Sequence, residues 1–298
     1  MAVAARERCW SKREIEKMMK IMDGQVHVWQ AESADRPWPQ GGAARAQLPY
    51  ALTCERLLTM MNEAGVDRAI LVPPSWEGDR NDHALAGAAA HPDRFAVMGR
   101  LALNQPDNAK LLKDWRKQPG MLGVRLTFVL EREREWMRNG ITDWFWAAAE
   151  AADVPVMMHA TGLLSHVSAI AGRHPGLKII IDHFGLSSPM AKQGRSRECI
   201  DDTVSLAVHP NVYVKVSAAP VYSQETYPFR DMDQHIRRII DAFGPRRCFW
   251  GTDLSHALGK ATYRQCVTHF TQELTFLSDQ DKEWIMGRSL AECLGWAL

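Results

Sequence analysis

Short apolar segments recur along the chain at intervals that leave room for a helix between them. Most positions within a segment are apolar rather than alternating with polar ones, which is typical of parallel strands that are covered on both faces. Each segment is therefore predicted to be a buried strand. The eight segments are residues 22–28, 68–72, 94–101, 122–126, 154–159, 178–183, 212–217 and 248–253.

The stretches between these segments carry apolar residues at helical spacing. In residues 230–243, for example, Ile236, Ile239 and Ile240 lie on one side of a helix. Ser278 precedes an acidic first turn, which is the arrangement that a helix N-terminus favours. Further helices are predicted over residues 53–64 and 142–152.

Eight strands that alternate with helices predict an α/β fold, a (β/α)8 TIM barrel with a closed parallel sheet. A doubly wound open sheet is the alternative, but the first strand is not followed by the glycine-rich loop usual there. We expect residues 22–298 to form one barrel domain, preceded by an N-terminal arm or helix over residues 1–21. The irregular, Pro- and Gly-rich residues 30–52 should lie at the C-terminal end of the barrel, over the site.

Composition and charge narrow the choice of partners. The formal net charge of +1 leaves no basic surplus for a nucleic acid, and no apolar run is long enough to span a membrane. The six cysteines form no CxxC pair, and the first twenty residues contain no apolar leader, so we expect a cytoplasmic protein with reduced thiols. Its partner should be a small-molecule substrate, and a homodimer is the default assembly for a soluble enzyme.

Four ionisable residues close predicted strands at the same end of the barrel. His27, His159, His183 and Asp253 end the first, fifth, sixth and eighth strands. A single histidine at a strand end is commonly a structural residue. Because catalytic groups of barrel enzymes lie at the C-terminal ends of the strands, four such residues together predict one shared active site.

Four further residues are candidates for substrate binding, and the first of them is Gln25 in the first strand, whose amide offers an N–H donor. Arg125, near the end of the fourth strand, is suited to bidentate binding of a carboxylate, with a salt bridge as the alternative. Lys215 lies in the seventh strand and, if it faces the interior, needs an anionic partner: Asp253, a substrate carboxylate or a structural ion-pair partner. Tyr222 follows the seventh strand and is expected to line the pocket. His256 follows Asp253 closely enough to reach the same site.

The motifs that contain these residues resemble the amidohydrolase superfamily, in particular its branch of sugar lactonases and pyrone-dicarboxylate lactonases. The resemblance extends over nearly the whole chain from Met22 onward. Its motifs are DGQVHVW at 23–29, GVRL at 123–126, VPVMMHA at 154–160, IIDHFG at 180–185, VYVKVS at 212–217 and WGTD at 250–253.

One position departs from the family pattern. Members typically carry D-x-H-x-H-x-W at the first strand, whereas Gln25 stands here at the first histidine. The paired histidines normally help to hold a divalent metal, and an amide oxygen is a weak ligand for it. His27, His159 and Asp253 with a water would still form a catalytic zinc site. Because the resemblance also implies metal-free lactonases, we favour a site without a cofactor, the alternative being one divalent ion, zinc or manganese.

The favoured function is hydrolysis of a small cyclic ester, an anionic lactone or pyrone. Asp253 would take a proton from the attacking water, while Gln25, His27, His159 and His183 would stabilise the developing oxyanion. A metal-dependent hydrolase or decarboxylase that acts on an aromatic or amide substrate is the first alternative. The second is a barrel that binds a small molecule without catalysis.

Overall fold

The framework of the computed structural model, which describes residues 19–297, is a parallel sheet of eight strands. Each strand pairs with the next one in sequence, in the order β1 to β8. The predicted (β/α)8 barrel is confirmed. The strands are β1 Met22–Val26, β2 Arg68–Leu71, β3 Phe95–Gly99, β4 Met121–Thr127, β5 Val156–His159, β6 Ile179–Ile181, β7 Val212–Ser217 and β8 Cys248–Gly251.

The last strand meets the first through one buried carboxylate. Thr252 donates its backbone N–H to Asp23 Oδ1 at 2.9 Å, and the Tyr263 hydroxyl donates to Asp23 Oδ2 at 2.8 Å. The backbone N–H of Asp253 donates to the Gln25 carbonyl at 3.1 Å. Burial raises the pKa of Asp23 to about 6, against the opposing effect of these hydrogen bonds. The contacts hold Gln25 and Asp253 side by side.

Helices connect the strands, and the four regions predicted to be helical are confirmed. The α-helices are α1 Cys54–Ala64, α2 Asp82–Ala90, α3 Ala109–Leu112, α4 Glu131–Arg138, α5 Asp143–Ala151, α6 Leu164–Arg173, α7 Ser188–Lys192, α8 Ser196–Ser205, α9 Ala219–Tyr222, α10 Asp233–Phe243, α11 Leu254–Ala257, α12 Tyr263–Thr268, α13 Asp279–Glu283 and α14 Ser289–Leu294. Two π-helical stretches are His269–Glu273 and Trp284–Arg288. The 3-10 turns are Ala43–Arg45, Ser75–Glu77, Pro106–Asn108, Trp115–Lys117, His183–Gly185, Leu206–Val208, Arg230–Met232 and Pro245–Arg247.

The apolar core has two parts. The larger part packs the outward faces of the strands against the helices, and the smaller part fills the barrel interior and contacts α14. Met157, Ile180 and Phe249 belong to the interior part. Side chains alternate along a strand, so Lys215 and Ser217 follow Tyr213 into the interior. Lys215 and Ser217 thus bring polar groups into the C-terminal half of the barrel interior.

The irregular segment 30–52 contains one short 3-10 turn, Ala43–Arg45. Ser255, which follows β8, donates its hydroxyl to Gln47 Oε1 at 2.6 Å, so the segment lies over the C-terminal end of the barrel, as predicted. Most of the predicted N-terminal arm, residues 1–18, falls outside the described residues. Among the helices described, none has the length and apolar character needed to cross a membrane.

Candidate active site

The four strand-end residues line a single cavity at the C-terminal end of the barrel. His27 directly follows β1, His159 ends β5, His183 lies two residues after β6, and Asp253 lies two residues after β8. The cavity has a volume of about 410 Å³. This volume lies in the range of small-molecule binding sites. Other lining residues include Gln25, Arg45, Trp76, Arg125, Tyr222 and His256.

Asp253 is the buried carboxylate of this cavity. Its Oδ2 lies 2.9 Å from His256 Nδ1 and 3.6 Å from His183 Nε2, and its Oδ1 lies 3.3 Å from His27 Nε2. Burial alone would raise the pKa of Asp253, but the charge and the hydrogen bond of His256 hold it well below its ordinary value. Asp253 is therefore ionised at neutral pH. Its Oδ1 accepts no hydrogen bond from the residues that the structure describes.

The Gln25 amide fixes the orientation of two histidine rings. Lys215 Nζ donates to Gln25 Oε1 from below, so the amide nitrogen faces His183 Nε2 at 3.2 Å and His27 Nε2 at 3.5 Å. Both Nε2 atoms are then hydrogen-bond acceptors. In agreement, the opposite ring nitrogen of His27, Nδ1, donates to the Val72 carbonyl at 2.8 Å.

His183 and His159 are neutral. His183 Nδ1 lies 2.9 Å from Ser217 Oγ, and burial lowers the pKa of the ring to about 3. His159 donates from Nε2 to the Leu186 carbonyl at 3.1 Å, and burial lowers its pKa to about 4. The N–H groups of these rings are thus directed at protein acceptors around the cavity.

A charged layer lies directly beneath the histidines. Asp182 Oδ1 is 2.6 Å from Lys215 Nζ, and Asp182 Oδ2 accepts a hydrogen bond from Arg125 Nε at 3.0 Å. Asp182 and Lys215 are completely buried. Of the partners considered for Lys215, the structure shows a structural ion pair, with Asp182 as the anion. Asp182 was not predicted, although it directly precedes His183 in the sequence.

Arg125 and Tyr222 reach the cavity, as predicted. Arg125 donates from Nε to Asp182 and from Nη1 to Thr127 Oγ1, the latter at 2.5 Å. Its side chain also lines the cavity. Burial raises the pKa of Tyr222 well above its ordinary value, so its hydroxyl stays protonated. The Tyr222 ring centroid lies 6.3 Å from that of His183.

His256 takes a larger part in the site than the sequence indicated. Asp253 has a left-handed backbone conformation, with φ of 51°, and begins the short helix α11. This turn brings His256 back onto the carboxylate that lies three residues earlier. The nearness of the two residues in sequence was the only available signal. Arg45, which comes from the loop after β1, was not singled out as a catalytic or binding residue.

One group of residues in the described part of the chain has the composition of a metal site. Ligand atoms of His27, Asp253 and His256 all lie within 4.8 Å of one another. His159, the third ligand predicted with His27 and Asp253, is not in this group and directs its Nε2 toward Leu186. Imidazole nitrogens with one carboxylate are a usual donor set for zinc.

The fold and the site define an amidohydrolase, and the sequence comparison agrees. The profile of the family described as Amidohydrolase matches residues 22–289. Because the match extends over most of the chain, the protein belongs to this family. The family prediction is thereby confirmed, and so is the prediction that the protein is an enzyme of the hydrolase class.

Two curated relatives are similar to this chain over most of its length. An L-fucono-1,5-lactonase of Burkholderia ambifaria is 26% identical over 235 residues, which are 78% of this chain and 79% of the relative. An enzyme of the same name from Burkholderia multivorans is 26% identical over 91% of this chain and 95% of its own.

The solved structures show the fold. A zinc-bound amidohydrolase from Burkholderia multivorans aligns with a TM-score of 0.75 at 22% identity, over 93% of this chain and 99% of that one. A second structure is that of a probable 2-pyrone-4,6-dicarboxylic acid hydrolase from Acinetobacter baumannii with citric acid bound. It aligns with a TM-score of 0.73 at 18% identity, over 93% of this chain and 100% of that one.

Proposed function

We propose that the protein hydrolyses a small anionic lactone or pyrone in the cavity described above, with Asp253 as the base that activates water. Two relatives named as lactonases support the choice of a cyclic ester. The observation that carries the proposal is Asp253 itself, an ionised and buried carboxylate whose Oδ1 is free of hydrogen bonds from the described residues. A water at this oxygen would be held beside the ester.

Hydrolysis of a cyclic ester needs a base that accepts a proton from water and an acid that gives a proton to the leaving oxygen. The water oxygen attacks the ester carbonyl carbon while Asp253 takes a proton from that water. The tetrahedral intermediate then breaks the bond between the carbonyl carbon and the ring oxygen, and Asp253 returns the proton to that oxygen. The product is an open-chain hydroxy acid, or from a pyrone the corresponding enol. Asp253 is ionised again after each cycle.

Tyr222 is the best placed donor for the oxyanion. The rings of His27, His159 and His183 direct their N–H groups at protein acceptors, as described above. The Gln25 N–H groups likewise face the Nε2 atoms of His27 and His183. The Tyr222 hydroxyl is protonated and lines the cavity. Such donors, fixed before the reaction begins, commonly supply the largest part of catalysis in acyl transfer.

The charge of the cavity supports an anionic substrate. Three arginines line it, Arg45, Arg125 and Arg134, against one carboxylate, Asp253. Arg134 is held in place because Nη1 donates to two backbone carbonyls, at 2.9 Å and 3.2 Å. An anionic ligand would be attracted by this surplus of positive charge.

A metal-dependent reaction is the second candidate, and the grouping of His27, Asp253 and His256 favours it. The free Oδ1 of Asp253 fits the donor set of a divalent ion. These three residues would hold the ion, which when bound would polarise the carbonyl and lower the pKa of water. The Gln25 N–H groups face the histidine Nε2 atoms, so Gln25 is not oriented as a ligand.

The test is a screen of neutral and carboxylate-bearing lactones, in which hydrolysis is detected by the release of protons. The metal content of the untagged protein is measured before the screen. Asp253→Asn keeps the shape of the side chain and is expected to lower kcat/KM by about 10²- to 10⁴-fold. Asp201→Asn, on the exposed face of α8, is the matched control. Equal turnover by wild type and Asp253→Asn would refute the mechanism.

A further inference from the structure

A second cavity adjoins the first and holds an arginine that the proposed mechanism does not use. Its volume is about 450 Å³, and both cavities are lined by Arg45, Ser75, Arg125 and Thr127. Arg100 lines only the second cavity, directly after β3. The two cavities thus meet along one wall, and we call the second one the side chamber.

Arg100 is firmly positioned but weakly paired. The Asn81 side chain holds the backbone of Arg100. It accepts a hydrogen bond from the Arg100 backbone N–H at 2.7 Å and donates one to the Arg100 backbone carbonyl at 3.0 Å. The Arg100 side chain is only 10% exposed, yet its Nε has no hydrogen-bond partner among the described residues. Asp79, which is half exposed, places its Oδ1 3.5 Å from Arg100 Nε. Arg100 Nη1 lies 3.5 Å from Thr127 Oγ1. A buried guanidinium with so few acceptors is costly unless a ligand completes them.

Positive charge dominates the side chamber. Arg45, Arg125 and Arg132 line it together with Arg100. Burial lowers the pKa of Arg100 to about 10, and the charges of Arg125 and Arg45 act in the same direction, although Arg100 remains protonated at neutral pH.

The two acidic residues that line the side chamber offset only part of its positive charge. Asp79 is the half-exposed partner of Arg100 described above. Glu133 uses its carboxylate to accept the N–H groups of Val129 and Leu130 at the start of α4. The four arginines therefore leave the side chamber with a surplus of positive charge, which an anionic ligand would balance.

We propose that the side chamber is a subsite for a carboxylate carried by the substrate away from its ester group, with Arg100 as the residue that recognises it. The inference rests on the proposed function, since it places the ring of the same substrate in the neighbouring cavity. The planar fork of a guanidinium matches a carboxylate. The preferred substrate class is accordingly a lactone or pyrone with a carboxylate substituent, and Arg45, on the exposed segment 30–52, approaches the same group from outside.

The test uses ligands that cannot be hydrolysed: a six-membered cyclic ether that bears a carboxylate, and its carboxamide. Calorimetry gives the ratio of their dissociation constants, which in the wild type should favour the carboxylate by about 10- to 100-fold. Arg100→Gln should bring this ratio close to one, and Arg45→Gln should lower it less. Arg138→Gln removes an exposed charge outside both cavities and is the control for net charge.

An unchanged ratio in Arg100→Gln, or no preference in the wild type, would overturn the subsite. If Arg100→Gln does not fold by circular dichroism, Arg45→Gln decides, because its side chain lies at the surface. The calorimetric measurement of binding does not depend on catalysis, so the two proposals can fail separately. Dependence on Arg100 without hydrolysis of any lactone would support the subsite and refute the proposed function, whereas hydrolysis with no dependence on Arg100 would do the reverse.

Discussion

Asp23 and Asp182 are both completely buried in one barrel, but their surroundings shift their pKa values in opposite directions. Asp23, at the seam between β1 and β8, is held by N–H and O–H groups that carry no charge, and burial raises its pKa to about 6. Asp182, beside β6, lies between Lys215 and Arg125. Burial would raise its pKa too, but the two cations outweigh that effect and lower it. The comparison shows that uncharged donors only partly offset the effect of burial on the pKa of a carboxylate, whereas two cations outweigh it.

The largest expected effect comes from removing the buried anion. Asp182→Asn should lower the free energy of unfolding by about 3–5 kcal/mol, because it leaves Lys215 and Arg125 without a counter-charge in the interior. Urea denaturation at neutral pH measures this change. Asp201→Asn, which breaks an exposed pair with Arg238, should have a far smaller effect.

The same variant has a defined pH dependence. A lowered pKa stabilises the fold above the unfolded-state value, and this contribution is lost only as the pH falls through the folded value. The stability difference between wild type and Asp182→Asn should therefore be constant from about pH 5 to 8. A difference that declines within this range would show that Asp182 is not held ionised.

Asp23→Asn should show the opposite dependence. Because the folded pKa is raised, the stability contributed by Asp23 is complete below its ordinary pKa of 3.8 and is lost as the pH rises through about 6. The wild type should lose about 3 kcal/mol relative to Asp23→Asn as the pH rises from about 3.5 to about 7. Urea denaturation across this range measures the difference, and a constant difference would mean that Asp23 is ionised throughout.

The smallest effect is expected from one donor at the seam. Tyr263→Phe removes the hydroxyl that donates to Asp23 Oδ2 and should cost about 1 kcal/mol. The loss should be larger at pH 7.5 than at pH 4.5 (about one and a half units on either side of the Asp23 pKa), since the hydrogen bond stabilises the ionised form. Thermal unfolding at both values provides the measurement, with the exposed Tyr50→Phe as control. Equal losses would indicate that the hydroxyl acts only through packing.

The barrel and the strand-end residues could be predicted because each follows from the pattern along the chain. A buried parallel strand is a continuous apolar segment, and the residue that closes it lies at a fixed end of the barrel. This reasoning correctly placed four residues around one cavity: His27, His159, His183 and Asp253.

Pairing across the barrel could not be predicted in the same way. It depends on strand register and on side-chain rotamers, which no local pattern encodes. Lys215 was therefore left with several possible partners, and Asp182 was passed over as an ordinary residue of its motif. The orientation of the Gln25 amide depends on Lys215, so it too required the three-dimensional structure. His256 was uncertain because its approach to Asp253 needs a left-handed turn.

The hydrogen bond from the Asp253 N–H to the Gln25 carbonyl joins residues that are 228 positions apart in the chain. Gln25 and His27 are among the first residues of the barrel to be synthesised, and Asp253 and His256 are among the last. A growing chain that has not yet formed β8 has neither the base nor its neighbour, and fragments of a barrel expose unpaired strand edges. The active site is therefore completed at the same step of folding at which the barrel closes between β8 and β1.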